Sequence, residues 1–495
     1  MSVIVFLAEV DTKLLEIFLT GLQKISSLQK LYLITNEINR VQFATMDLPE
    51  DLDAEVCNVA ALGTLLNSNE VKKCHHFVVI DTLCQFAEEC FGVLERQMRT
   101  GADIVFSDHD YIANDQRYDP YFKPGYSPEL LFDPAYAPVI VVRSELMYKV
   151  LRQTENILTG QELIMACFKN AMKPAHVGHV LMHLLHPVLA PRAFRDYANM
   201  THLINKTTDS SHYPELYEPV SGNVVVSIII PTRNMVGLLR DCVDSILRHL
   251  YHFDVEILIL DNRSDDPETL AWLEHSVEKG DVKVIRCDYP FNWSRLSNDG
   301  INQAEGELII LLNNDTLVIT PDWLDRLAML GMSKGIGTVG PLLMYPDKTI
   351  QHAGVVAGFG GFADHIYMGE ATANRPAEIF VSPMIRRDVL ANTGACLAFS
   401  KKTHGLVEGF DESFTVAGDV DFCLRVFEKD LRNIFDPGTS LIHYESRTRH
   451  KGLPEEDKTY LRSVLDRVCP KGDPFFNENI TLSSRSPMPR LWADQ

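Results

Sequence analysis

The chain has 495 residues, with 46 Lys and Arg against 67 Asp and Glu, a formal net charge of −21. So acidic a protein lacks the basic stripes that displace counterions from a phosphate backbone, which excludes a nucleic-acid binder. With 46% hydrophobic and 23% charged residues it is globular, and its length suits about two to four domains.

The first half alternates strand and helix patterns: "SVIVFLA", a helical "TKLLEIFLTGLQKI", "KLYLITN", "HHFVVID", a helical segment through Met98, then "ADIVFSDHD". A polar stretch with Pro, Gly and Ser, residues 212–223, lacks periodicity and reads as a linker. The rhythm then resumes. "VVVSIII" (224–230) is a β-branched run closed by Pro231, which has no ladder donor. Leu239, Val243, Ile246, Leu247 and Leu250 share one side of the next helix, "VEILILD" (255–261) is a strand, and Pro267 opens a helix that Gly280 stops. "VKVIRC" and "GELIILLNND" continue the pattern. Unbroken apolar strands alternating with helices predict parallel sheets buried on both faces, and the matching rhythm of the halves predicts a diverged internal repeat.

In open α/β sheets ligands sit beyond the carboxyl ends of the strands. Three strand ends here carry polar groups: Thr232, Arg233 and Asn234; Asp261 and Asn262; and Asn313, Asn314 and Asp315. They are expected to face one crevice, with turn formation or helix capping as the competing reading for each. Ten cysteines without a Cys-x-x-Cys or Cys/His spacing suggest neither zinc nor a disulfide framework. The opening "MSVIVFLAEVDTKLL" has no basic leader or small-residue cleavage site, and no apolar run reaches the ~20 residues of a membrane span, so a cytoplasmic location is expected, with peripheral attachment to the inner membrane left open.

Seven ordered stretches carry a resemblance: "SIIIPTRN", "LILDNRSDDPETL", "FNWSRLSNDGINQAEGELIILLNNDTLVITPDWLDRL", "GPLLMYPDKTIQHAGVV", "NTGACLAF", "EGFDESFTVAGDVDFCLRV" and "LIHYESRTRHKG". Together they resemble the inverting glycosyltransferases of family 2, closest to rhamnosyltransferase-like and O-antigen or surface-polysaccharide members. The resemblance implies an α/β protein of two tandem GT-A-like, Rossmann-related domains with mostly parallel central sheets. Residues 1–211 would be a degenerate first domain, 224–452 the catalytic domain and 453–495 a helical and extended tail.

What the resemblance implies about chemistry follows the same positions. Asp315 would hold a divalent cation, Mn²⁺ or Mg²⁺, with Asn313 standing where the family has its first acid; hard cations prefer oxygen ligands and need only one or two from protein. His443 would be a second ligand, or else a buried or capping histidine. Pro231, Thr232, Arg233, Asn234, Asp261, Asn298, Asn313 and Asn314 would bind the nucleotide sugar, a dTDP- or UDP-sugar, though Arg233 could instead pair with Asp261. Asp419 would be the general base toward a glycan or lipid-linked glycan acceptor, with Gly418 in place of the family's Glu, and Asp421 would cap its helix or orient Arg425.

The first half keeps "DPYFKP" but has only Asp81 near the metal-motif position and Glu162 near that of the base, so it is expected to be noncatalytic. Two other functions compete. A nucleotidyltransferase would need a Gly-rich phosphate loop, which "IIIPTRNMVGLL" lacks, and a noncatalytic glycan-binding scaffold would not need Asp261, Asp315, Asp419 and His443. In the tail, Glu455, Glu456 and Asp457 disfavour an anionic lipid surface, and a solvated helical cap is expected.

Overall fold

The computed structural model describes residues 2–7, 12–23, 25, 28–35, 52–58, 74–133, 135–153, 157, 159–185, 217, 224–249, 253–372, 379–444 and 453–490. The predicted linker, apart from Tyr217, and Leu250 lie outside them. Contacts divide the chain into two compact units: Met1–Arg195 with Pro376–Val381 and Asn477–Asn479, and Asp196–Arg375 with Ser382–Phe476 and Ile480–Gln495.

The second unit is built on strands β1 (Val225–Thr232), β2 (Asp254–Asp261), β3 (Lys283–Arg286), β4 (Leu308–Leu312), β5 (Thr316–Val318), β6 (Ile336–Met344), β7 (Ile350–His352), β8 (Val355–Ala357), β9 (Ala363–His365), β10 (Arg387–Asp388), β11 (Cys396–Ser400) and β12 (Arg432–His443). Its ten-stranded sheet has the order β3-β2-β1-β4-β11-β6-β12-β5, with β7 on β6 and β10 on β12. Pairing is parallel within β3-β2-β1-β4 and between β6 and β12. Strand β11 enters antiparallel between these blocks, and β5 closes the sheet antiparallel to β12. The sheet is therefore mixed: the strand-helix rhythm describes its first block, while the strands after β4 return by connections that carry no such rhythm.

Helices α1 (Val236–Leu247), α2 (Pro267–Lys279), α3 (Trp293–Gln303), α4 (Trp323–Gly331), α5 (Lys401–Leu406), α6 (Gly418–Phe427) and α7 (Glu455–Val468) accompany it. Helix α2 begins and ends as its punctuation predicts: the Asp266 side chain accepts from the Thr269 N–H, Pro267 occupies the first turn, and Gly280 takes φ 79° at the end. Ile229, Leu258, Leu260, Leu296, Ile301, Leu311, Phe399 and Phe422 form one core cluster between sheet and helices. Helix α3 lies close on the sheet because Gly300 has no side chain; a Cβ there would come within 2.6 Å of Ile229 and 3.0 Å of Leu260.

The first unit has a nine-stranded sheet ordered Ala54–Asn58, Lys30–Thr35, Ser2–Leu7, His76–Ile80, Val139–Arg143, Ile104–Ala113, Pro174–Leu185 and Cys84–Phe86, with Gln116–Tyr121 paired on Ile104–Ala113. Strand for strand this repeats the order of the second unit, and every neighbouring pair keeps the same sense. The two units are one topology used twice.

Replacing Gly300 with Ala forces a methyl group against Ile229 and Leu260. Chemical denaturation should show a loss of about 1–3 kcal/mol, the range for overpacking a tight core.

Candidate active site

The three polar strand ends do converge. The Asn314 Nδ2 donates to Thr232 Oγ1 at 2.9 Å, joining the ends of β4 and β1, and the Asn262 N–H donates to the Thr232 carbonyl at 2.8 Å, joining β2 to β1. Asn234 and Met235 both take left-handed backbone, φ 55° and 59°. That bend lets the Asn234 Oδ1 accept from the N–H groups of Asp265 and Asp266, each at 3.0 Å, while its own N–H donates to Ser264 Oγ. Asn234 thus ties two strand-end loops together. Pro231 stays within the β1–β2 ladder opposite Leu260.

Asp261 is buried and accepts from the Ser264 N–H at 2.9 Å and from the Arg286 guanidinium. The cation beside Asp261 is therefore Arg286 and not Arg233, which is exposed. Strand register explains the choice, since Asp261 and Arg286 are direct partners across the parallel β2–β3 ladder.

At the other end of this ridge, Asp315 Oδ1 lies 3.1 Å from His443 Nε2, with only 7% and 5% of the two side chains exposed. Register again sets the meeting. The first residue of β5, Thr316, pairs with the last of β12, His443, so the residue before Thr316 is delivered to the imidazole. His443 Nδ1 faces Gln351 Oε1 at 3.1 Å, and Asn313 Nδ2 faces Nε2 at 3.3 Å. A proton on Nδ1 serves Gln351 and leaves the Nε2 lone pair for the Asn313 amide. In that tautomer Nε2 and the Asp315 carboxylate are two acceptors that a cation would bridge, whereas a proton on Nε2 makes the pair an ordinary hydrogen bond.

His443, Asn313, Asp419, Trp293, Thr393 and Gly394 all line one cleft of about 430 Å³. Asp419 is the second residue of α6. Its Oδ2 accepts from the Gly394 N–H at 2.7 Å and its Oδ1 from the Val420 N–H at 2.9 Å. Two glycines allow this. A Cβ at 394 would lie 2.3 Å from the Trp293 ring, and one at 418 would lie 2.1 Å from Ser294 Oγ, which explains Gly418 where a Glu was expected. Asp421 is buried and pairs with Arg425 at 2.7 Å, and burial pushes its carboxyl above the ordinary range.

Asn298 stands apart from these groups. Its Nδ2 donates to the Phe410 carbonyl and to Glu412, and its Oδ1 accepts from the Phe410 N–H and meets His404 Nε2. Residues that sequence reasoning passed over include Gln351, Gly394 and Arg286; nothing in their local pattern marks them, because strand register and loop packing bring them in. A second hollow of about 440 Å³ holds Asp388, Glu428, Arg432 and Arg467, but its charges satisfy one another, Arg432 with Asp388 at 2.7 Å and Arg467 with Glu428 at 2.9 Å. All ten cysteines are free thiols.

Chain after His443 also shapes the cleft. Leu453, Lys458 and Leu461 line it, so α7 is a wall of the cleft as well as a cap. Asp473 accepts the Ala357 N–H at 3.0 Å and the Phe475 N–H at 2.8 Å, and Arg485 pairs with Asp364.

Because the two sheets share one topology, the first unit can be read position by position. Ile80 ends the counterpart of β4 and Cys84 begins that of β5, the same spacing as Leu312 to Thr316. Leu83 therefore stands where Asp315 stands. Cys84 pairs with Leu184 as Thr316 pairs with His443, so Leu184 replaces the imidazole. Counted from the helix start, Gly160 matches Gly418 and Gln161 matches Asp419. Glu162 falls one position late, and its side chain closes a capping box with Thr159. Asp81 accepts from the Gln161 backbone at that helix, and burial raises its pKa.

Residues 227–346 match the family model described as Glycosyl transferase family 2. The O-antigen biosynthesis protein RfbC of Myxococcus xanthus is 33% identical over 406 aligned residues, covering 77% of this chain and 32% of that protein. The uncharacterized protein y4gI of Sinorhizobium fredii is 33% identical over 420 aligned residues, covering 77% of this chain and 45% of that protein. The chain spans less than half the length of either relative. A crystal structure of GalNAc-T7 with UDP, GalNAc and Mn²⁺ superposes with a TM-score of 0.41 and 13% identity over 49% of this chain and 48% of that one, a likeness too weak to carry an assignment.

Burial lifts the Asp473 carboxyl from its ordinary 3.8 to about 6, against two N–H donors that pull it down. An acid with a higher pKa folded than unfolded takes up a proton on folding, so its contribution is full below about 3.8 and is lost as pH rises through about 6. Asp473→Asn, uncharged throughout, should gain on the wild type by about 1–3 kcal/mol between pH 4 and pH 7 in denaturant titrations.

Proposed function

We propose that the second unit, whose residues 227–346 match the family model described as Glycosyl transferase family 2, is a metal-dependent, inverting glycosyltransferase. It would move a sugar from a nucleotide-diphosphate donor to a hydroxyl of a glycan or lipid-linked glycan. The observation that carries this reading is the contact of Asp315 with His443, which lines the same cleft as Asp419.

The donor set suits a hard divalent cation. Two ligands 3.1 Å apart are at the separation expected for neighbouring positions around a metal with ligand bonds of ~2.0–2.1 Å. Gln351 holds the far imidazole nitrogen as outer-sphere carbonyls do for ligating histidines. Among the described residues no group of three or more His, Cys, Asp or Glu gathers, so the remaining ligands would be water and donor phosphate. When bound, Mn²⁺ or Mg²⁺ would neutralise the charge that develops on the leaving diphosphate.

The rest falls to the chain's own side chains. Asp261, paired with Arg286 and accepting from the Ser264 N–H, would accept from the base or ribose of the nucleoside. Thr232, Asn314 and the bend at Asn234 would form the floor beneath it, with Pro231 and Arg233 at its edge; Asn298 would act by holding the Phe410–Glu412 turn. Asp419, fixed by the Gly394 N–H, would take the acceptor proton as the hydroxyl attacks from the face opposite the leaving group.

The first unit would be noncatalytic, with Leu83 and Leu184 in place of both metal ligands and Gln161 in place of the base. The name of the Myxococcus relative supports surface polysaccharide as the setting, with a dTDP-rhamnose donor the first to test. Among the described residues no helix is long and apolar enough to cross a membrane, which is compatible with action at a membrane face or away from one.

Asp315→Ala should lower Mn²⁺-dependent transfer by ~10³-fold or more, the scale of losing several kcal/mol of charge stabilisation, while circular dichroism stays unchanged. Asp419→Asn should lower kcat by ~10²–10⁴-fold with donor binding intact. Unchanged sugar transfer in Asp315→Ala, followed by mass shift on a glycan acceptor, would reject the metal role.

A further inference from the structure

Helix α7 sends a carboxylate into the loop that precedes the proposed base. Asp457 is fully buried, and its oxygens accept three successive backbone N–H groups, from Thr415 at 3.0 Å, Val416 at 2.7 Å and Ala417 at 2.9 Å. Consecutive N–H groups converging on one anion form a nest, and α6 follows directly, with no side-chain cap of its own at Ala417. The same loop is tied to α3, because the Thr415 carbonyl accepts the Trp293 N–H at 2.9 Å.

Two anchors therefore fix Asp419. Its carboxylate is held by the Gly394 N–H, and the backbone that leads to it is held by Asp457, two residues upstream of the helix position it occupies. The interaction is demanding in both directions. A buried carboxylate is tolerated only when its lone pairs are filled, and without it the N–H groups of this partly buried loop lose their acceptor, that of Ala417 in the interior. The loop has little freedom to relax without moving the start of α6. The next residue, Lys458, and Leu461 one turn on line the cleft itself, so α7 meets the site by two routes.

We propose that Asp457 is a positioning residue for Asp419, which makes the C-terminal helix a working part of the catalytic cleft. This rests on the reading of Asp419 as the base. Hydrogen exchange on the full chain tests it without relying on turnover. In Asp457→Ala the amides of Thr415, Val416 and Ala417 should exchange at least ~10-fold faster, and so should Gly394, which contacts Asp419 and not Asp457, while those of Leu308–Leu312 stay protected. In parallel, kcat for sugar transfer should fall by ~10–100-fold with the donor KM and the affinity for dTDP with Mn²⁺ unchanged, as expected when a reacting group is misplaced. Asp457→Asn, which keeps one acceptor oxygen, should recover part of both effects. An unchanged Gly394 amide, or acceleration shared equally by Leu308–Leu312, would overturn the proposal. If Gly394 responds as expected but the wild type transfers no sugar, the positioning stands and the assignment of Asp419 as base falls.

Discussion

The site depends on a three-residue strand. Thr316–Val318 pairs antiparallel with the end of Arg432–His443, and that pairing alone sets an aspartate from one part of the chain against a histidine about 130 residues later. Everything upstream serves to place that strand. The run Leu308–Leu312 is buried on both faces between β1 and β11, so its end is fixed in depth and direction, and the polar residues that follow have no choice but to emerge at the sheet's rim. An apolar strand running straight into Asn313, Asn314 and Asp315 is thus a device for carrying polar groups on a rigid mount, more accurate than a loop could be.

Much of the fold was legible for the same reason. Apolar runs such as Ile228–Ile230, Leu258–Leu260 and Leu308–Leu312 have to be central strands, and the stop signals at Pro267 and Gly280 lie where α2 begins and ends. Asp261 and Asp315 could be singled out because each follows an apolar strand run, whereas Asp419 was marked only by the resemblance of its stretch to the family's motif. What stayed hidden was register. Arg286 faces Asp261 because two parallel strands pair in one alignment and not the next, and a slip of one residue would have turned it to the other face. Gln351 and Gly394 reach the cleft, and Asp457 the loop before α6, from distant segments through packing, and no local periodicity encodes that. The antiparallel β11 was equally invisible, since a buried strand reads the same in either direction.

Glycine has an unusual share in the cleft. Gly394 and Gly418 sit against Trp293 and Ser294, so the backbone of the Asn392–Phe399 segment and the start of α6 can both close on α3. That approach aims the Gly394 N–H at Asp419. Specific backbone donors of this kind hold a carboxylate without adding charge, and they orient Asp419 in the cleft.

The first unit shows the same topology without these polar groups. Its sheet has the same order and senses, yet Leu83 and Leu184 occupy the positions of Asp315 and His443, and both belong to the unit's hydrophobic core with Cys84 and Leu185. A buried carboxylate facing an imidazole costs desolvation that only a bound ligand or a proton can offset, whereas two leucines in contact stabilise the same strand ends outright. That the second unit holds a polar pair where the like sheet of the first holds two leucines is a physical argument that something binds there.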